Sequence, residues 1–205
     1  MSEIQTKEQN RSQGSKVADT CRIGLFTALI CVISQLPGIP LPGGVPMTLQ
    51  TLILPLAGII LGPVNGTIAS LIYLLLGIVG LPVFSGFKGG FGVLMGATGG
   101  FIISFPLLPL FAGLGLKIGA KKQGEKGVFY YVSLTVGLVL GAVLNYVVGT
   151  FWFAGVYLGG ITAENLGKGF AACVLPFIPT AIIKIILALL LGTLLRRTLK
   201  KASLL

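Results

Sequence analysis

Residues 128–152 read VFYYVSLTVGLVLGAVLNYVVGTFW. No charged side chain interrupts them, and the stretch exceeds the ~20 apolar residues that carry an α-helix across a bilayer. Five more apolar runs flank it, at about 20–36, 46–61, 64–80, 93–116 and 171–195. The first stops at Pro37, the second is short, and the third follows Gly62-Pro63. The composition agrees. The chain has 205 residues, 54% hydrophobic and only 10% charged, with a mean hydropathy of +0.98. A soluble domain carries about 25% charged residues, so the solvent of this chain is lipid. The expected fold class is therefore an all-α integral membrane protein of six transmembrane helices. Residues 19–205 form a single six-helix domain in this reading. Residues 1–18 are polar and lack the apolar centre of a signal peptide; they are expected to be a cytosolic tail.

The net charge of +10 does not point to nucleic acid, because the basic residues cluster at the ends of apolar runs instead of forming a stripe. With both termini placed in the cytosol, the inner side holds Lys7, Arg11, Lys16, Arg22, Lys117, Lys121, Lys122, Lys126, Arg196, Arg197, Lys200 and Lys201. The outer side holds only Lys88 and Lys168. That asymmetry follows the positive-inside rule and favours an even number of spans. Cys21, Cys31 and Cys173 have no metal-ligand spacing and the chain has no histidine, so no metal site or disulfide framework is expected. The abundance of glycine, 31 residues, suits close helix packing in lipid.

Three unusual features fall on the outer half. The connection Pro37-Gly-Ile-Pro-Leu-Pro-Gly-Gly-Val-Pro46 is stiff and non-helical because of its prolines. The connection Leu81-Pro-Val-Phe-Ser-Gly-Phe-Lys-Gly-Gly-Phe-Gly92 offers glycines for close backbone approach and aromatic walls. Its candidate ligand residues are Phe84, Ser85, Gly86, Phe87, Lys88, Gly89 and Gly90. The third feature is the aromatic end of the fifth run, with Tyr146, Phe151, Trp152 and Phe153. This group is either an interfacial belt or part of a site, and the two are compatible.

Lys184 stands near the middle of the sixth run, on a helix face shared with Phe177, Thr180, Ala181, Ala188 and Gly192. A mid-span lysine costs roughly 2.5–3.5 kcal/mol on insertion scales. The five acidic residues, Glu3, Glu8, Asp19, Glu125 and Glu164, all lie outside the middle of any run. A ligand then supplies the missing acceptor oxygen, or else backbone carbonyls and water do. Asn145, deep in the fifth run, offers two donors and an acceptor oxygen to a cyclic urea or amide, or to a neighbouring helix. Thr48 and Gln50 are weaker candidates of the same kind. An intramembrane enzyme requires titratable groups for acid–base chemistry or metal binding, and the chain has no His and no Asp or Glu deep in a run. The reading is transport, not catalysis, with no cofactor.

Val45-Pro-Met-Thr-Leu-Gln-Thr51, Gly80-Leu-Pro-Val-Phe-Ser-Gly86 with Gly89-Gly90, and Gly96-Ala-Thr-Gly-Gly-Phe101 together resemble the BioY family. So do Tyr146-Val-Val-Gly-Thr-Phe-Trp152 and Pro176-Phe-Ile-Pro-Thr-Ala-Ile-Ile-Lys184. BioY proteins are the biotin-specific substrate-binding (S) subunits of energy-coupling factor (ECF) transporters. The resemblance implies a multi-pass protein of the bacterial cell membrane that captures biotin, or alternatively another vitamin or a biotin analogue. It also implies partnership with a transmembrane coupling (T) subunit and two ATPase subunits. This chain has no G-x-x-x-x-G-K-[ST] loop of its own. Two positions depart from the family pattern. Ala181 stands where the family usually has an aspartate that acts with the lysine. The Ala-x-x-x-Ala docking motif of the first helix is replaced by Gly24-x-x-x-Ala28, with Thr27-x-x-x-Cys31 beside it.

Overall fold

Backbone in hydrocarbon has no water to bond to, so an apolar run must satisfy its N–H and C=O groups within itself, as a helix does. The computed structural model describes residues 2–40, 44–124 and 127–202, and of residues 2–15 and 123 the backbone alone. Over these residues the chain is helical without a β-strand. Of the cations assigned above to the inner side, Lys126 and the side chains of Lys7 and Arg11 lie outside the described residues. The helices are α1 (Ser2–Ser34), α2 (Gln50–Leu61), α3 (Pro63–Val79), α4 (Gly99–Ile103), α5 (Leu107–Gln123), α6 (Val128–Trp152), α7 (Ala163–Cys173) and α8 (Ile178–Lys201). Four stretches are long and apolar enough to cross a bilayer: Lys16–Ser34, Gly99–Lys122, Val128–Tyr157 and Ala163–Lys201. α2 and α3 are apolar but shorter.

Two runs fold differently from their sequence reading. The run at 93–116 is broken. After a 3-10 turn at Phe91–Val93 it forms the short α4, then turns at Ser104–Pro106 before α5 begins. Pro106 has no N–H to continue α4 and its fixed φ suits a helix start. The run at 171–195 begins later, at Ile178, behind Pro176 and with Pro179 in its first turn, and ends later, at Lys201. The preceding α7 was not anticipated. Its N-terminus is capped by Thr162, whose hydroxyl accepts from the Asn165 amide at 3.1 Å, with Glu164 in the first turn.

Helix packing rests on small residues. A Cβ on Gly58 of α2 would overlap the backbone of Pro109 in α5, and one on Gly66 of α3 would lie 2.7 Å from the Gly58 Cα. α2, α3 and α5 therefore meet backbone to backbone. α5 and α6 do the same through Gly115 and Gly137. Outside this packed centre the exposed large side chains of α6 are apolar: Val132, Val136, Val139, Leu140, Val143 and Val147. Ile182, Ile183, Ile186, Leu190 and Leu194 repeat the pattern on α8. An apolar outer surface on an already packed bundle is the inverse of a soluble fold.

Chain direction sorts the connections into two ends. The α2–α3 turn, made by Gly62 at φ +85°, lies at the same end as the α5–α6 turn and the close of α8. The connections 35–49, 80–98 and 153–177 lie at the other.

Candidate functional site

The three long connections meet over a cavity of about 380 Å³. Gln35, just past α1, ties two of its parts together. Its Nε2 donates to the Pro82 carbonyl at 3.0 Å, and its Oε1 accepts from the Phe87 amide at 3.0 Å. The 84–88 segment closes on itself: the Phe84 amide donates to the Lys88 carbonyl at 2.9 Å and the Lys88 amide to the Phe84 carbonyl at 3.2 Å. Gly86 and Phe87 turn the corner at φ 76° and 58°, and this turn aims the Phe84 ring inward, where it is 1% exposed. In the 37–46 connection, Ile39 and Met47 exchange backbone hydrogen bonds at 2.9 and 2.8 Å. This delivers Thr48 and Gln50 to the cavity wall.

Lys184 reaches the cavity from α8. Its Nζ donates to the Thr48 carbonyl at 2.7 Å and to Thr51 Oγ1 at 3.0 Å. The Thr48 hydroxyl donates to Gln50 Oε1 at 2.9 Å, and Gln50 Nε2 donates to the Tyr73 hydroxyl at 2.6 Å. One polar chain thus runs from α8 through the start of α2 to buried Tyr73 on α3. It supplies acceptors for the lysine that the missing carboxylates do not. On the facing side Asn145, 2% exposed, donates through Nδ2 to the Phe101 carbonyl at 2.9 Å and to Ser104 Oγ at 2.8 Å. These are acceptors at the break between α4 and α5, so the amide nitrogen joins two helices. The carbonyl oxygen of Asn145 takes no part in those two bonds. Aromatic rings complete the walls: Phe101 and Tyr146 meet edge-on at 6.5 Å between centroids, and Tyr146 lies 6.4 Å from Phe177. A smaller void of about 30 Å³ continues beneath, lined by Thr51, Asn145, Tyr146, Ala181 and Lys184 among others.

Of the residues singled out from sequence, Lys184, Asn145, Thr48, Gln50, Phe84, Ser85, Lys88 and Tyr146 line this one cavity. The others do not. Phe87 is 71% exposed at the tip of its turn, and Gly86 and Gly90 hold left-handed corners. Gly89 lies against the Leu81 carbonyl, and Trp152 against the backbone of α4 at Gly99 and Gly100. Sequence reasoning did not place Thr51, Thr98, Phe101, Phe105 or Tyr157 in the wall, all of which line it. Tyr157 belongs to a π-helical turn, Phe153–Tyr157, that prolongs α6. The aromatic sequence past Trp152 was its one available signal. On α1, Gly24 and Ala28 are exposed, whereas Thr27 is buried and its hydroxyl lies 3.3 Å from the Ala69 carbonyl of α3. The two small-residue faces are therefore used differently.

The model of the BioY family matches residues 6–201. A protein of Pyrococcus horikoshii named "Probable biotin transporter BioY" is 36% identical over 177 residues, 86% of this chain and 95% of that one. The "Biotin transporter BioY" of Thermotoga maritima is 36% identical over 176 residues, 86% of this chain and 94% of that one. A crystal structure of the S-component for biotin from an ECF-type ABC transporter superposes with a TM-score of 0.73 at 29% identity. It covers 90% of this chain and 93% of that one.

Proposed function

The chain belongs to the BioY family, and from that premise we propose that it is the biotin-binding S subunit of an ECF transporter. It crosses the membrane six times in this reading, the four long apolar stretches being joined by the shorter α2 and α3. Both termini are cytosolic, so the cavity opens outward and the basic end lies in the cytosol, in a bacterial cell membrane. The proposed partners are a T subunit and two ATPases, with the exposed Gly24–Ala28 face of α1 as the docking surface.

The observation that carries the reading is the pairing of Lys184 and Asn145 in one aromatic-walled cavity. Its volume lies within the roughly 300–1,000 Å³ of small-molecule sites. Biotin has a compact ureido bicycle, with two N–H donors and one carbonyl acceptor, and a carboxylate on a flexible arm. Lys184 suits the ureido oxygen, and the Asn145 carbonyl oxygen suits a ureido N–H. Phe84, Phe101 and Tyr146 wall the sulfur-containing ring. Lys88, exposed on the rim, suits the carboxylate. Ser85, Thr48 and Gln50 complete the polar lining, while Gly86, Phe87, Gly89, Gly90 and Trp152 shape and support the wall. Biotin is cargo here; the reading involves no cofactor and no catalytic step.

The test is a titration of purified, ligand-free protein with labelled biotin in the presence of competing vitamins. Saturable binding that unlabelled biotin alone displaces is the expected result. Stronger displacement by another vitamin would replace biotin as the cargo. A single cysteine at Ser85 is expected to react with an impermeant reagent from outside and to be protected by biotin. Labelling from the cytosolic side only would invert the topology.

A further inference from the structure

The turn that presents Phe84, Ser85 and Lys88 to the cavity contains Phe87, the one non-glycine residue with a positive φ, 58°, among the described residues. A bulky side chain in that region strains its backbone, and such a residue persists only where its surroundings hold it. The Phe87 ring supplies little of that hold, because the residue is 71% exposed. Its amide supplies it, by donating to Gln35 Oε1 at 3.0 Å. We propose that Gln35 is a positioning residue of the binding site: it holds this strained corner and thereby sets Phe84, Ser85 and Lys88 against the ligand.

Gln35 is anchored at its own backbone. It directly follows α1, and its amide closes that helix by donating to the Val32 carbonyl at 3.1 Å. α1 is in turn tied to α3, where the Thr27 hydroxyl lies 3.3 Å from the Ala69 carbonyl. From this fixed point the half-buried side chain uses both ends of its amide. While Oε1 holds Phe87, Nε2 donates to the Pro82 carbonyl at 3.0 Å. Pro82 precedes the turn and Phe87 stands at its tip, so one amide clamps entry and corner together. A primary amide offers that donor and acceptor side by side.

The base of the turn is held independently. The Leu81 amide donates to the Leu76 carbonyl at 3.1 Å, and the Gly90 amide to the Gly77 carbonyl at 2.7 Å. Loss of the Gln35 bonds therefore frees the tip and leaves the fold standing. The tip carries the contacts that matter to a ligand. Ser85 is half-buried in the cavity wall and Lys88 is exposed on its rim. The Phe84 ring is seated edge-on against Tyr73, at 5.7 Å between centroids, and against Gly77. Only the identity of the ligand rests on the proposed function; the corner and its bonds do not depend on biotin.

The experiment compares the full parent chain in detergent with Gln35→Met, which keeps the length of the side chain and removes both bonds. Three quantities are read: the Tm, the affinity and dissociation rate of labelled biotin, and the rate at which Ser85→Cys reacts with a polar thiol reagent without ligand, resolved by peptide mass spectrometry. Biotin affinity is expected to fall about five- to tenfold, the low end for two lost neutral hydrogen bonds, chiefly through faster dissociation. Labelling of Ser85→Cys is expected to quicken, because the freed tip opens more often. In Phe87→Gly the corner is no longer strained. Adding Gln35→Met to that variant is expected to cost clearly less affinity than it costs the parent, a non-additivity that a role in overall stability does not produce. Equal losses with Phe or Gly at position 87 would overturn the proposal. So would a Gln35→Met variant that lowers the Tm while biotin affinity and Ser85→Cys labelling stay at parental values; Gln35 would then be a strut at the end of α1. A parent chain that binds no biotin, with Gln35→Met still quickening the labelling, would count against the proposed function and leave the positioning role standing.

Discussion

At the cavity end the connections are long, rich in proline and glycine, and folded into bridges and tight corners. At the opposite end a single residue, Gly62, joins α2 to α3, and arginines bind the ends of helices: Arg196 holds α2, and Arg197 donates to the Tyr131 hydroxyl of α6 at 2.6 Å. The contrast has a physical reason. Irregular backbone at membrane depth is tolerated only where it lines a cavity or is buried in protein. A cavity wall made of such backbone keeps its shape only if the helices that carry it are fixed elsewhere. The packed end supplies that fixed frame, through α2, α3 and α5 meeting at Gly58 and Gly66.

The largest expected effect breaks the frame. In Gly58→Ala the new methyl overlaps the Pro109 backbone, so α2 and α5 must part. Overpacking of this kind costs about 1–3 kcal/mol, occasionally more. Gly92→Ala, in the cavity wall, adds a methyl with no heavy atom within 4 Å and is expected to shift stability by no more than about 0.5 kcal/mol. Unfolding of the two variants in the same detergent compares the ends directly. Equal losses would show that the cavity end is as tightly packed as the frame.

A smaller effect, confined to binding, is expected at the cavity. Lys184→Ala removes the donor to Thr48 and Thr51 and, in the proposed pose, the donor to the ureido oxygen. Biotin affinity is expected to fall by at least roughly tenfold, about 1.4 kcal/mol, a lower bound just under the about 1.5–3 kcal/mol of a charged hydrogen bond. Isothermal titration of the folded variant measures it. Unchanged affinity would reduce Lys184 to a strut between α8 and the start of α2, a role its two observed bonds already fill.

These two regions were not equally legible in the sequence. Helix α6 was readable to its ends, Val128 and Trp152, because an uncharged run of that length has one solution in lipid. The break between α4 and α5 was not, because Pro106 signals a boundary only once the chain is known to need one there. The cavity's own members divided by the same logic. Lys184 and Asn145 were conspicuous because polar groups deep in apolar runs demand partners. Their partners were invisible: the Thr48 carbonyl and the Phe101 carbonyl are backbone groups, which carry no sequence signal. Thr98, Phe105 and Tyr157 reach the wall through the folding of irregular segments, which periodicity does not describe. Gly86, Phe87, Gly89 and Gly90 were picked out as ligand contacts; in the structure Gly86 and Phe87 form the corner of the turn that presents Phe84, while Gly89 lies against the Leu81 carbonyl and Gly90 holds a separate left-handed corner.

The smallest effect, and the one that most sharpens the cavity's side of the comparison, is expected from Ala181→Asp. Positions 181 and 184 stand three residues apart on one face of α8, so their side chains are neighbours. The void of about 30 Å³ between them and Asn145 exceeds the roughly 10–15 Å³ that one water requires. An aspartate therefore extends into existing space instead of displacing packed atoms. There it lies beside the Lys184 ammonium, which offsets the cost of burying a carboxylate, and it presents an acceptor toward a ureido N–H. If biotin binds with its ureido ring at Lys184 and Asn145, affinity is expected to hold or to rise by up to about tenfold, one charged hydrogen bond at the low end of its range. The melting temperature, measured beside the titration, is expected to stay level. A clear loss of biotin affinity with an unchanged melting curve would mean that the void is occupied in the bound state by something the carboxylate excludes. The ring would then sit elsewhere in the cavity, or the cargo would carry a larger head group than biotin.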